Sequence, residues 1–289
     1  MAADTINLPE FLINLFVVID DLLRCLRPKI GTSVGRTPSL NQSEVITLAL
    51  FGVFAGFKTR AHLYAHIRNY HFKDFPRLPK YKNFNALINR HVLEAAEILQ
   101  ILMAFNRKNS SFSIKFMDST AVAVCKNKRI FHHKVCEGVA KRGMSSFGWF
   151  FGFKIHICVD EQGRLLSIQV TPGNTDDREP VLKLLKDIQG LVVADSGYVS
   201  DPLVQKLYRK GIHFLTGVKK NMKKLMTKEQ HKTLKLRQIV ETALGVNKSS
   251  NNLVSSYARS VLGHFSRILY AFLAYALRFL HHPDLPAIS

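Results

Sequence analysis

Leu191-Val192-Val193-Ala194-Asp195-Ser196-Gly197-Tyr198 is a short apolar run that ends in a carboxylate and then turns. Consecutive aliphatic residues bounded by polar turn formers read as a buried strand. Its flanks agree with that reading. Asp176 to Ile188 reads as an amphipathic helix before it, Pro202 to Lys210 as a helix after it, and His213 to Val218 as the next strand. Strands that alternate with helices build a parallel arrangement through crossovers, and open sheets of this kind bind ligands beyond the C-terminal ends of their strands. Asp195 stands at such an end.

Toward the N-terminus the pattern changes to strands in sequence. Ser113 to Cys125 contains a β-favouring core, Phe116-Met117-Asp118-Ser119-Thr120, and Phe150 to Asp160 and Arg164 to Val170 flank the hairpin signal Glu161-Gln162-Gly163. Toward the C-terminus, Lys235 to Lys248 forms the last element before the final helices. Three strands, then helix, strand, helix, strand and helix, is the order of a ribonuclease-H-like mixed sheet whose first three strands are antiparallel. The expected fold class is therefore α/β, a ribonuclease-H-like mixed sheet with flanking helices, preceded by an all-α N-terminal region.

That N-terminal region runs to about Phe105. Leu8 to Cys25 has helical periodicity, Asn41 with Glu44 has the form of a capping box opening a helix through Phe54, and Thr59 to Tyr70, Tyr81 to Asn89 and His91 to Phe105 follow as helices. Arg27 to Ser39, with two prolines and two glycines, reads as a loop. The expected domains are residues 1–108, helical and suited to binding DNA ends, and 109–289, the catalytic sheet with the C-terminal helices.

Forty-one lysines and arginines against 21 acids give a net charge of +20 over 289 residues, which favours a polyanionic partner such as nucleic acid. A ribosomal or nucleoid protein shares this trait, so charge alone names no activity. The four cysteines form no CxxC pair, which argues against a zinc ribbon or a disulfide framework and fits a reducing cytosol. Phe11 to Ile19 is apolar, but Asp20 and Asp21 follow it directly; Val261 to Leu280 is interrupted by His264, Arg267 and Arg278. Both read as buried helices rather than membrane spans.

The chemistry centres on carboxylates. Asp118 lies within the first strand and Asp195 ends the fourth, and these two strands are neighbours in the expected sheet. An acid at the edge of an apolar strand is costly to bury unpaired. Two that meet suit divalent cations, and two ions about 4 Å apart are the arrangement used in phosphodiester chemistry. The alternative for either acid taken singly is pairing with an arginine or a helix cap.

Met117-Asp118-Ser119-Thr120, Gly148-Trp149-Phe150-Phe151-Gly152-Phe153-Lys154-Ile155-His156, Thr171-Pro172-Gly173-Asn174-Thr175-Asp176-Asp177 and Ala194-Asp195-Ser196-Gly197-Tyr198 together resemble the DDE-type transposases of bacterial insertion sequences. The resemblance spans about Ser111 to Lys248. It implies a third carboxylate on a helix after the last strand, in a pattern Tyr-x2-Arg-x3-Glu-x6-Lys, which this chain matches with Arg237, Glu241 and Lys248 and departs from with Leu234 in place of the tyrosine. On an ideal helix those three residues lie within about 40° of one another. The competing reading of Arg237 and Glu241 is a solvated i,i+4 pair.

The resemblance implies a magnesium-dependent transposase, with manganese able to substitute and two ions per site held by Asp118, Asp195 and Glu241. It implies cleavage and strand transfer on terminal inverted repeats and target DNA by a homo-oligomer in a bacterial cytoplasm, associated with the nucleoid. Arg237 and Lys248 would hold phosphates, and Lys154 and His156, on one side of the second strand, would face the catalytic side, with a satisfied core histidine as the equal alternative for His156. The rival readings are a ribonuclease-H-like nuclease without strand transfer and a catalytically decayed DNA-binding copy, the latter because Ala243 to Asn252 is poor helix-forming sequence.

Other residues carry competing readings. Trp149 is suited to stacking on an extruded base, or to a core position beside Phe150 and Phe151. His132 and His133 fall in a basic insertion, Lys126 to Arg142, read as an exposed loop, with contact to DNA as the alternative. Asp176 and Asp177 read as caps of the first crossover helix, with an auxiliary acidic role as the alternative.

Overall fold

The structure is a computed structural model that describes residues 8–26, 38–110, 113–146, 148–217, 226–253 and 258–280. Most of the loop expected over Arg27 to Ser39 lies outside these residues. The chain divides into two compact units: Met1–Leu102 with Ser249–Ser289, and Met103–Lys248.

The first unit is helical. It contains α1 (Leu8–Leu26), α2 (Gln42–Phe54), α3 (Arg60–Tyr70), α4 (Tyr81–Arg90) and the start of α5 (Val92–Asn109). Asn41 opens α2 with a complete capping box: its Oδ1 accepts from the Glu44 amide at 2.8 Å, and its own amide donates to Glu44 Oε2 at 2.6 Å. The C-terminal helix α10 (Val261–Leu277) packs against α2 and α4. The sequence reading grouped that helix with the catalytic sheet. Its continuous buried run, Tyr270 to Leu277, belongs instead to the helical unit. Among the described residues no helix is long and apolar enough to cross a membrane.

The second unit is a sheet of six strands: β1 (Lys115–Ala123), β2 (Lys141–Ser145), β3 (Gly148–Asp160), β4 (Leu165–Pro172), β5 (Gly190–Ala194) and β6 (Ile212–Thr216). β3 pairs antiparallel with β1 and β4, while β5 runs parallel to β1 and β6 parallel to β5. With β2 set aside, the order β4-β3-β1-β5-β6 is that of a ribonuclease-H-like sheet. The tight β3–β4 turn is anchored by buried Asp160, which accepts from the Gln162 and Arg164 amides, from the Arg164 side chain and from Ser110 Oγ. Four donors satisfy a carboxylate that is expensive to bury alone.

Helices complete the unit. α6 (Val181–Leu184) and α7 (Asp201–Tyr208) supply Val181, Leu184, Leu203 and Leu207 to a core with Met117, Cys158, Val192 and Ala194. α8 (Lys228–Lys235) and α9 (Gln238–Ser249) follow β6.

Three expectations are corrected. The helix read over Asp176 to Ile188 is one turn, Val181–Leu184, and it begins only after Pro180, which has no amide to donate and disfavours helical backbone in the residue before it. The insertion read as a loop contains a 3-10 segment, Asn127–His132, and its last two residues, Lys141 and Arg142, begin β2. The stretch after Glu241 is helical through Ser249: Val240, Ala243, Leu244 and Asn247 are buried, and Asn247 Nδ2 donates to the Ala243 carbonyl at 2.9 Å. Burial of one face outweighs the weak propensities of Gly245 and Asn247.

Candidate active site

Sheet register decides which acids meet. Phe116 of β1 is in parallel register with Val193 of β5, so Asp118 and Asp195, each two residues further on, are brought side by side, Asp118 inside β1 and Asp195 just past the end of β5. Side chains alternate across a strand. Met117, Val192 and Ala194 fill the α6/α7 core on one face, which puts Asp118 on the other. Each aspartate accepts a hydrogen bond from the next backbone amide: Ser119 N to Asp118 Oδ1 at 2.8 Å, and Ser196 N to Asp195 Oδ1 at 2.7 Å.

Arg237, just before α9, joins the acids. Its Nη1 lies 2.7 Å from Asp195 Oδ1, and its Nη2 donates to Glu241 Oε1 at 3.0 Å. Burial pulls the guanidinium pKa down, but Asp195, Asp118 and Glu241 outweigh it and leave the pKa raised. Asp195 and Glu241 are half exposed, whereas Arg237 is mostly covered. Three carboxylates thus face one cation.

That imbalance registers on Asp118. Burial first, then the charges of Asp195 and Glu241, raise its pKa to about 6, against the opposing pull of the Ser119 amide and Arg237. A carboxyl destabilised as an anion by burial first and by its acidic neighbours second, beside two accessible carboxylates, is a donor set of oxygen ligands suited to a hard divalent cation. Asp118, Asp195 and Glu241 fit such an ion. Lys248, two helical turns beyond Glu241, lies about 10 Å further along α9 on nearly the same face.

Lys154 and His156 do not join these acids. In the β1–β3 register Asp118 is opposite Ile157, whereas His156 is opposite Ser119 and Lys154 opposite Ala121. Directly opposed residues share a face, so both point to the other side of the sheet from Asp118: the expected catalytic side is corrected, and His156 takes the core alternative. There Lys154 Nζ donates to the Thr175 carbonyl at 2.9 Å and pairs with Asp177 at 3.1 Å. His156 is fully buried, with Nε2 2.9 Å from Thr171 Oγ1; burial lowers its pKa to about 4.

Asp177 was read as a helix cap, and the structure gives it a different place. It accepts from Ser119 Oγ at 3.2 Å as well as pairing with Lys154, while Asp176 takes the local role, bound by the Arg178 amide and guanidinium. Tyr198, buried after Asp195, has its pKa raised by burial and by Asp118, Asp177 and Asp195. Sequence reading passed over Ser119 and Tyr198. The signal available was their position in the same short runs that carry the aspartates.

Trp149 is 53% exposed, so the core alternative is set aside; it stands on the β2–β3 hairpin. His132 is exposed, and His133 packs edge-on against Phe151 with ring centroids 6.2 Å apart.

A family model described as the transposase DDE domain matches residues 108–261, just over half of the chain. No curated protein matches it. Among solved structures it is similar to a piggyBac transposase in a synaptic complex with hairpin DNA, at 11% identity and a TM-score of 0.44, over 95% of this chain and 80% of that one. The fold assignment rests on the sheet order and register.

Proposed function

We propose that this chain, which belongs to the DDE transposase family, cuts DNA at the ends of a bacterial insertion sequence and joins the freed 3'-hydroxyl to target DNA at the Asp118–Asp195–Glu241 cluster. The observation that carries the reading is the grouping of those three carboxylates around Arg237: Asp195, just past β5, and Glu241, on α9, contact its guanidinium, and Asp118, inside β1, acts on it by charge. The residues flanking the cluster follow the sequence pattern Arg-x3-Glu-x6-Lys along α9.

The family uses divalent metal ions. We assign Asp118, Asp195 and Glu241 as the ligands of two magnesium ions, replaceable by manganese. Bound there, the ions would lower the pKa of an attacking water or hydroxyl and stabilise the leaving oxygen. The protein's own contribution is positional. Backbone amides of Ser119 and Ser196 fix the rotamers of the two aspartates, Arg237 is placed to transfer its charge from carboxylates to a DNA phosphate, and Lys248 supplies a second phosphate contact along α9.

Terminal inverted repeats and target DNA are the proposed partners, bound by a homo-oligomer associated with the bacterial nucleoid. The helical residues up to about 108 are the proposed reader of the ends, with charge +20 supplying affinity for the phosphate backbone. Lys154 and His156 act in this scheme through the sheet that carries Asp118 rather than at the phosphate. A decayed copy was favoured only by the weak helix sequence after Glu241, and α9 is continuous there.

The test is incubation of the purified chain with magnesium or manganese and labelled DNA carrying the element's ends. Nicked and joined products, both abolished by chelation, are expected. Nicking without joining would leave a nuclease, and neither product would overturn the reading.

A further inference from the structure

The segment between β1 and β3 combines two features that ordinarily do not share a soluble surface. Lys126, Lys128, Arg129, Lys134, Lys141 and Arg142 are all exposed, and Glu137 is the one acid between Asp118 and Asp160. In the same segment Phe131 is 91% exposed and Met144 57%, and Trp149, at the start of β3, is 53% exposed. A solvated cationic loop has no use for exposed rings, and an exposed apolar group of this size marks a contact surface.

The hairpin is built to hold that surface still. Trp149 and Met144 are directly opposed in the β2–β3 ladder, so their side chains stand together on one face. The Arg142 guanidinium lies over the Trp149 ring, 4.9 Å from its centroid, and Asn127 Nδ2 donates to the Trp149 carbonyl at 2.7 Å, which ties the 3-10 segment to the hairpin. At the base of the hairpin a Cβ on Gly143 would meet the Gly173 carbonyl oxygen at 1.9 Å, so the two backbones approach as only glycine permits. Gly148 enters β3 at φ 102°, a conformation that side chains other than glycine's rarely adopt.

We propose that this hairpin binds unpaired DNA bases, with Trp149 as the stacking platform, Met144 beside it, and the surrounding lysines and arginines on the phosphates. Stacking plus a cationic track is the chemistry of single-strand recognition, and it tolerates any base because every base has a flat face. A duplex offers phosphates but no accessible base face, so it would leave Trp149 and Met144 in water. A protein partner would favour a face poor in lysine. The proposal deepens the reading of the chain as a DNA-end-processing protein, since cutting and joining expose unpaired nucleotides, and it rests on that reading for its biological substrate.

Trp149 is the only tryptophan in the chain, so its emission reports on this surface alone. The experiment titrates full-length protein, without divalent metal, with oligothymidylate of about 12 nucleotides, a length within the usual single-strand site size. Binding is expected to quench the emission. Anisotropy of the labelled oligonucleotide should show Trp149→Ala weakening affinity roughly 5- to 100-fold and Trp149→Phe restoring most of it, with duplex affinity changed less than about twofold.

Unquenched emission at saturation would overturn the proposal, as would an equal loss for duplex, or emission that responds to protein concentration alone or only to anionic lipid vesicles. Circular dichroism of both variants excludes misfolding as the cause of a loss. Quenching with no joined products would sink strand transfer and leave the hairpin assignment intact; joined products without quenching would do the reverse.

Discussion

Arg237 and Asp195 form an ion pair of 2.7 Å that fastens the start of α9 to the end of β5, and the same guanidinium reaches Glu241 at 3.0 Å. One side chain thus neutralises part of a three-carboxylate cluster and fixes the element that carries the third acid.

Replacing Arg237 with alanine should therefore leave the cluster without its protein cation. Because Asp195 and Glu241 are half exposed, solvent screening holds the stability loss to about 1 kcal/mol. Thermal melts should show a lower Tm in chelator and a larger rise on adding magnesium than wild type shows. An unchanged Tm in both conditions would mean that the pair does not hold α9.

Asp118 has a folded pKa of about 6 against 3.8 for the ordinary carboxyl. The folded chain then binds a proton more tightly than the unfolded one, so this group's contribution to stability falls as pH rises from about 4 to 6. Asp118→Asn removes that penalty. Without metal at pH 7.5 the variant should be more stable than wild type, by at most about 3 kcal/mol, and magnesium should stabilise wild type but not the variant. A less stable variant under these conditions would refute the strained-anion description.

His156 acts with the opposite sign. Its pKa is lowered to about 4, so the folded chain holds it neutral and stability is lost as pH falls from about 6.5 toward 4. The two windows overlap, so each group is read from the difference between wild type and its own variant. His156→Gln should flatten the acid limb of a Tm–pH profile; a variant with the wild-type slope would show that another group causes it.

How far this was legible in the sequence depends on the kind of signal. The strands carrying Asp118 and Asp195 are apolar runs with an acid at a fixed place, and their register follows from parallel neighbours, so both were readable. β2 was missed because Lys141-Arg142-Gly143-Met144-Ser145 has no β-branched residue and gains its strand form from pairing with β3. Lys154 and His156 were rightly placed on one side of β3, but which side depends on the register against β1, which alternation alone does not fix. The single-turn α6 was overextended because Asp176 and Asp177 looked like caps, whereas Pro180 sets where that helix begins.

α9 supplies a further prediction. A Cβ on Gly245 would meet nothing within 4 Å, and the residue is exposed in a continuous helix. Gly245→Ala should raise stability by about 0.5–1 kcal/mol through helix propensity and a less flexible unfolded chain. Chemical denaturation checks it, and a loss of stability would show that the helix is interrupted there.

The most direct measurement compares Asp118→Asn, Asp195→Asn and Glu241→Gln with wild type, following cleavage and joining of labelled end DNA under single-turnover conditions alongside DNA affinity. The account predicts both reactions reduced at least about 100-fold in each variant, in line with the loss of a group acting at the reacting phosphate, with affinity within a few-fold of wild type. Cleavage retained in any one of the three would contradict that residue's place in the active site, and retention in Asp118→Asn would contradict the account as a whole.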